Sequence, residues 1–261
     1  MMICCNTRRT VLLHALLVLL VGFLAHPVEA AEPGAPTIPV AGPQFVEKAA
    51  TRDTLARLRQ GGFTLYLRHA TTDNSKTDRL PAVDLNDCST QRPLTDKGRA
   101  QASRVGHALR TARIPIKSIH ISPMCRVKDT AAAAFPGQQV QVEFKLMYTS
   151  NLTDAQKAPI VANTRQLLAT PVAAGSNRLV IAHGPNLMDV MGYFPKEATL
   201  VVFRPKGKNM FEYVASIPPD LWAAIAIAWA SSVSASFSMV TLPSGSAVVP
   251  RMMPTWIGKA L

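Results

Sequence analysis

Cysteine is scarce: the chain carries four in 261 residues, too few to frame a disulfide-built scaffold. Aromatic residues make up only 6%, which leaves little material for the stacking platforms that hold single-stranded nucleic acid. Several common chemical signatures are missing as well. The chain has no Gly-x-x-x-x-Gly-Lys-Ser/Thr loop, no Gly-x-Gly-x-x-Gly and no Gly-x-Ser-x-Gly, which argues against a phosphate-loop nucleotidase, a dinucleotide fold and a serine hydrolase. No cysteine is followed six residues later by arginine, and the six histidines show neither His-x-His nor His-Glu-x-x-His spacing, so no metal and no cofactor is expected. Positive charge, by contrast, is in excess. Lys and Arg total 28 against 16 Asp and Glu, a net charge of +12, which favours anionic partners. These cations are scattered, without a basic run, so a small anion is expected rather than nucleic acid.

The first thirty residues look like an address. Arg8 and Arg9 precede an apolar run from Val11 to Ala25, and Val28 and Ala30 provide the small residues at a cleavage site. The run is short for a membrane span. Residues 1–30 are therefore expected to be a signal peptide, of the general secretory type or, given the arginine pair, the twin-arginine type, and the protein periplasmic or secreted. An uncleaved anchor is the other reading. Residues 31–43 contain four prolines and are expected to be a spacer. Residues 44–222 form the expected domain. Residues 223–261 are largely uncharged and apolar and have no functional reading. No stable membrane span is expected after cleavage, and the sequence leaves the oligomeric state open.

Within the domain, apolar strands alternate with amphipathic helices. Helices are predicted at Phe45–Arg59, from the Thr95 cap to about Arg113, at Met124–Phe135, Asp154–Thr170 and Asn186–Met191. Strands are predicted at Phe63–Leu67, Lys117–Ser122, Gln139–Phe144, Arg178–Ala182, Thr199–Arg204 and Met210–Ser216. This order predicts an α/β three-layer sandwich with a largely parallel central sheet. Three strands run directly into polar residues: FTLYL into Arg68 and His69, KSIHIS into Cys125 and Arg126, RLVIA into His183. The carboxyl edge of such a sheet is where ligands bind. Two arginines would grip a phosphoryl group through their planar donor forks, and a histidine kept neutral by the nearby charge could attack phosphorus. His107 and His120 fall inside a helix and a strand and are taken as structural.

The stretch LYLRHATTD resembles the Arg-His-Gly signature of the histidine phosphatase superfamily, the phosphoglycerate-mutase-like proteins. RPLTDKGRAQA resembles its Leu-Thr-x-x-Gly-x-x-Gln-Ala block, HISPMCRVKDTA its Ser-Pro-x-x-Arg-x-x-x-Thr-Ala block and IAHGPN its second histidine block. The four occur in family order between Tyr66 and Asn186, and LRQGG before the first block, with Asp87 and Cys88 before the second, looks most like exported bacterial members. The resemblance implies a metal-independent phosphomonoesterase with His69 as nucleophile and Arg68, Arg126 and His183 completing the phosphate pocket. Thr72 and Asn186 are further substrate-binding candidates. Ala70 departs from the usual glycine, and Thr71 stands where mutases carry glutamate, which favours a phosphatase. No motif fixes the proton donor. Glu197 is preferred, with Asp154 and Asp73 as the other candidates. A non-catalytic phosphate-binding module on the same fold is the alternative function. Finally, Cys88 lies in the long loop after the first strand and Cys125 beside Arg126. A disulfide between them, with Cα atoms about 4.4–6.8 Å apart, would clip that loop to the pocket; two free thiols are the alternative.

Overall fold

The structure is a computed structural model and describes residues 45–79 and 83–222. The expected signal peptide, spacer and C-terminal appendix lie outside the described residues. Six strands form one sheet: β1 Thr64–Arg68, β2 Ile116–Ile121, β3 Gln141–Val142, β4 Asn177–Ala182, β5 Leu200–Gly207 and β6 Met210–Ile217. Their order is β3-β2-β4-β1-β5-β6. The β3/β2, β2/β4 and β4/β1 pairs are parallel, whereas β5 runs antiparallel to both β1 and β6. The expected three-layer, largely parallel architecture is therefore borne out. Among the described residues, five helices cover the sheet: α1 Arg52–Gln60, α2 Asp96–Thr111, α3 Cys125–Ala134, α4 Asp154–Ala169 and α5 Gly184–Met191. No described helix is long and apolar enough to cross a membrane.

The layers follow from the strands' own alternation. Leu65, Leu67, Ile119, Leu179 and Leu200 turn to one face and pack with Leu58 of α1, Val105 and Leu109 of α2, and Val127 of α3. Tyr66, Val180, Val201 and Phe203 turn to the other and pack with Leu168 of α4 and Leu187 of α5. Strands buried on both faces read as continuous apolar runs, which is why FTLYL and RLVIA stand out in the sequence. The N-terminal helix is shorter than predicted. Thr51 and Thr54 form a capping box that starts α1 at Arg52. Residues before it run along β6 instead, with Ala49 bridged to Ser216 and the Phe45 ring stacked 4.2 Å from Tyr193. Phe45, which imitates part of a helical face, thus packs on an aromatic cluster, while Val46 stays exposed. The predicted strand Gln139–Phe144 shrinks to two residues at the sheet edge before a 3-10 turn at Phe144–Leu146.

The disulfide is formed: Cys88 and Cys125 are joined, with Cα atoms 5.7 Å apart. It closes a long loop across a sequence separation of 37. Chain-entropy arguments give about 3–4 kcal/mol for a loop of that length. Reduction is therefore expected to lower the stability measured by urea unfolding by about that amount; an unchanged midpoint with and without reductant would contradict it.

Candidate active site

The parallel strands β2, β4 and β1 lie side by side, so their carboxyl ends bring three loops together. The ladder extends one residue past each strand end: His69 N–H donates to the Ala182 carbonyl at 2.9 Å, and Ser122 N–H to the Ile181 carbonyl at 3.0 Å. His183 occupies the N-cap of α5. The backbone after His69 is held by the other sequence blocks. Thr130 Oγ1 accepts the Ala70 N–H at 3.1 Å, and Gln101 Oε1 accepts the Thr71 N–H at 3.1 Å. The Thr71 carbonyl accepts the Thr95 N–H at 3.0 Å. Gly98 is needed for this approach, since a Cβ there would collide with the Thr71 carbonyl.

His69 is buried, at 1% exposure. Its Nδ1 lies 2.9 Å from the Ala70 carbonyl oxygen. A carbonyl can only accept, so Nδ1 carries the proton and Nε2 keeps its lone pair. Burial, then the charge of Arg126, holds the His69 pKa well below its ordinary value, with Arg68 and Arg92 acting in the same direction. His69 is therefore a neutral imidazole whose lone pair lies on Nε2. His183 is also buried, and its ring centroid is 5.4 Å from that of His69. Its peptide group is clamped by Tyr66, whose hydroxyl donates to the His183 carbonyl at 2.7 Å and accepts the His183 N–H at 3.1 Å. His183 Nε2 is 2.8 Å from Ser122 Oγ. When Ser122 donates to Nε2, the proton resides on Nδ1, which is buried and without a partner among the described residues. Burial and the Arg126 charge keep this histidine's pKa low as well.

The arginines share one design. Arg68 Nη1 donates to the Pro195 carbonyl at 2.6 Å, its guanidinium lies 4.6 Å from the Phe194 ring centroid, and its Nε is buried and unpartnered among the described residues. Arg126 is wholly buried, its Nη1 donates to both Asp78 oxygens at 2.9 and 3.1 Å, and its Nε and Nη2 are likewise buried and unpartnered. A third arginine, Arg92, is half-buried, with Nη1 at 3.3 Å from Asn74 Oδ1 and Nε buried and unpartnered. Its charge reaches both histidines, Arg68 and Arg126. Strand ends do not reveal Arg92, because it sits in an irregular loop; its place at the head of RPLTDKGRAQA is the available signal. Tyr148 is also missed by sequence reasoning. Its ring stands 5.1 Å from the Arg126 guanidinium and 5.5 Å from the His183 ring.

The other site candidates divide. Glu197 comes to His69: Oε1 lies 3.9 Å from His69 Nδ1 and 3.8 Å from Arg68 Nη2, and accepts the Thr72 hydroxyl at 2.7 Å. The next residue, Ala198, has φ +59° and gives its N–H to the Arg68 and His69 carbonyls, so the turn that carries Glu197 is tied to the backbone of His69. Asp73 folds back on Ser75, bonded at 2.6 Å to its hydroxyl and 3.0 Å to its N–H, which lowers its pKa. Asp154 is exposed at the start of α4, in a surface depression with Lys157, Arg165 and Asp189. Asn186 spends its amide nitrogen on the Leu146 and Met147 carbonyls, which secures the turn before Tyr148. His120 pairs with Glu143 at 3.0 Å. Among the described residues no group of three His, Cys, Asp or Glu could hold a metal ion.

Two buried histidines that resist protonation make the fold pH-sensitive. The unfolded chain binds protons at these histidines below about pH 6.5 while the folded chain does not, so stability falls as pH drops through that value. Each histidine adds a slope of at most about 1.4 kcal/mol per pH unit. The melting temperature is expected to be lower at about pH 5.5 than at about pH 7.5, above the carboxylate range; equal melting temperatures would contradict the neutral histidine pair.

Residues 65–147 match the family model of the histidine phosphatase superfamily (branch 1), a stretch that contains Arg68, His69, Arg92 and Arg126. Similar solved structures include the protein histidine phosphatase SixA complexed with tungstate, with 17% identity over 60% of this chain and 97% of that one and a TM-score of 0.42. They also include a phosphoserine phosphatase from Entamoeba histolytica in complex with 3-phosphoglyceric acid, with 14% identity over 58% and 97% and a TM-score of 0.39. A mycobacterial glucosyl-3-phosphoglycerate phosphatase complexed with VO3 has 18% identity over 59% and 98% and a TM-score of 0.42. No protein of curated function matches the chain.

Proposed function

We propose that this chain is a phosphomonoesterase of the histidine phosphatase type, acting through a phosphohistidine on a phosphorylated substrate outside the cytoplasm. The observation that carries this reading is the pairing of a neutral, buried His69, its Nε2 lone pair free, with buried N–H donors on Arg68, Arg92, Arg126 and His183 that have no partner among the described residues. These donors match the three non-bridging oxygens of a phosphoryl group, and their fixed positive charge stabilises the transition state without a metal. The Cys88–Cys125 disulfide supports an oxidising compartment.

The reaction takes two displacements. His69 Nε2 forms a bond to phosphorus while the ester P–O bond breaks, and the leaving oxygen takes a proton from the Glu197 carboxyl. Water then attacks phosphorus, gives its proton to Glu197, and the P–N bond breaks to release phosphate. His183 and the arginines hold the same oxygens throughout. An acid matters most for a poor leaving group. Glu197→Gln is expected to lower kcat about 100-fold on an alkyl phosphate and by less than about 10-fold on p-nitrophenyl phosphate, whose phenolate needs little protonation. Equal losses on both esters would remove Glu197 from the acid role. A parent protein that hydrolyses neither ester would refute the proposed function.

A further inference from the structure

We propose that Asp78 is a positioning residue for phosphoryl transfer: its carboxylate anchors Arg126 so that the opposite edge of that guanidinium is held ready for phosphate. The inference rests on reading Arg126 as a phosphate-binding residue. Asp78 lies in the loop after β1, with its side chain 10% exposed. Both of its oxygens take Arg126 Nη1, and Oδ1 also takes the Arg92 backbone N–H at 2.8 Å. One carboxylate thus locates two of the three arginines around the nucleophile.

The shape of the guanidinium gives this contact its meaning. The group is planar, so fixing one corner restricts the plane and the direction of the remaining donors. Nε and Nη2 point to the same side and form the fork that meets two oxygens at once. In Arg126 this fork is the pair of atoms that is buried and unpartnered among the described residues, while Nη1 alone meets Asp78. The carboxylate therefore occupies a corner away from the fork and does not compete with phosphate for it. It also supplies the counter-charge that a wholly buried cation requires. Arg68 has a comparable anchor, but there the acceptor is the Pro195 carbonyl, fixed in the backbone. Asp78 depends on a long loop, and the described residues of that loop are tied down beside Arg126. The Cys88–Cys125 bond, the Gln91 Oε1 contact with the Cys125 N–H at 2.8 Å and the Arg79 N–H contact with the Thr90 carbonyl at 2.8 Å all secure it. The clip that the sequence placed near the pocket accordingly holds an anchor for the pocket's buried arginine.

A double-mutant cycle on the full chain tests this. The parent, Asp78→Asn, Arg126→Ala and the double variant are compared for kcat and KM on p-nitrophenyl phosphate and for inhibition by inorganic phosphate. Acting through Arg126, Asp78→Asn is expected to lower kcat about 10-fold and weaken phosphate inhibition in the parent, and to change kcat by less than about 2-fold once Arg126 is alanine. Equal losses in both backgrounds, or tighter phosphate inhibition with kcat unchanged, would overturn the proposal. The second result would leave Asp78 as a negative charge that merely repels the anion. Parental activity in Arg126→Ala would instead overturn the pocket reading itself, and Asp78's role with it. Should Asp78→Asn fail to fold, Asp78→Glu retains the charge but shifts it by one methylene, and the same non-additivity with Arg126→Ala is expected.

Discussion

Replacing His69 with alanine is expected to lower kcat/KM for phosphomonoester hydrolysis by at least about 1,000-fold, because it removes the group proposed to form the covalent intermediate. The Nδ1 proton is committed to the Ala70 carbonyl, which leaves Nε2 as the lone-pair nitrogen. Burial and three arginine charges keep the ring neutral, so His69 in the proposed role needs no separate base to activate it. The second histidine cannot substitute, since its Nε2 is engaged by Ser122 and its peptide is locked by Tyr66. The measurement is steady-state hydrolysis of p-nitrophenyl phosphate, with folding checked by thermal melting. Activity within about 10-fold of the parent would place the chemistry elsewhere.

Arg126→Ala is expected to lower kcat by about 100- to 1,000-fold, the scale of losing a preorganised charged donor. Arg126→Lys is expected to recover only part of this. Lysine restores the charge but not the planar fork, and its ammonium cannot meet Asp78 with one corner while offering two fixed donors to phosphate. The alanine variant also leaves Asp78 buried without its cation, and breaking such a pair typically costs about 3–5 kcal/mol. A melting curve beside the kinetics separates the two effects. Full activity with the expected loss of stability would mean that Arg126 supports the fold and does not touch the phosphoryl group.

The strand-end half of this site is legible in the sequence. FTLYL, KSIHIS and RLVIA are apolar runs that stop at polar residues, and adjacent parallel strands place their endings together. Arg68, His69 and His183 can be located from that alone, and Arg126 from the helix start just beyond. The helix starts at Thr95 and Thr153 are equally readable, because each carries a side-chain cap that acts within three residues. What cannot be read depends on contacts between distant residues. Arg92, Asp78 and Tyr148 all sit in irregular segments, and their positions are set by a disulfide, by Gln91 on the Cys125 peptide and by Asn186 on the Met147 carbonyl. None of these has a local periodicity. The misplaced start of α1 has a similar origin: Phe45 resembles part of an apolar helical face, but its ring packs against Tyr193 and Tyr213, far along the chain.

His69 is proposed to carry the phosphoryl group during turnover. Mixing the protein with a phosphorus-labelled phosphoester, denaturing it within the first turnover and mapping the label by mass spectrometry tests this most directly. The account requires a phosphorylated imidazole on His69, stable in alkali and lost in acid, that is absent from His69→Ala. Turnover of the ester without a covalent label, or a label that survives in His69→Ala, would contradict it.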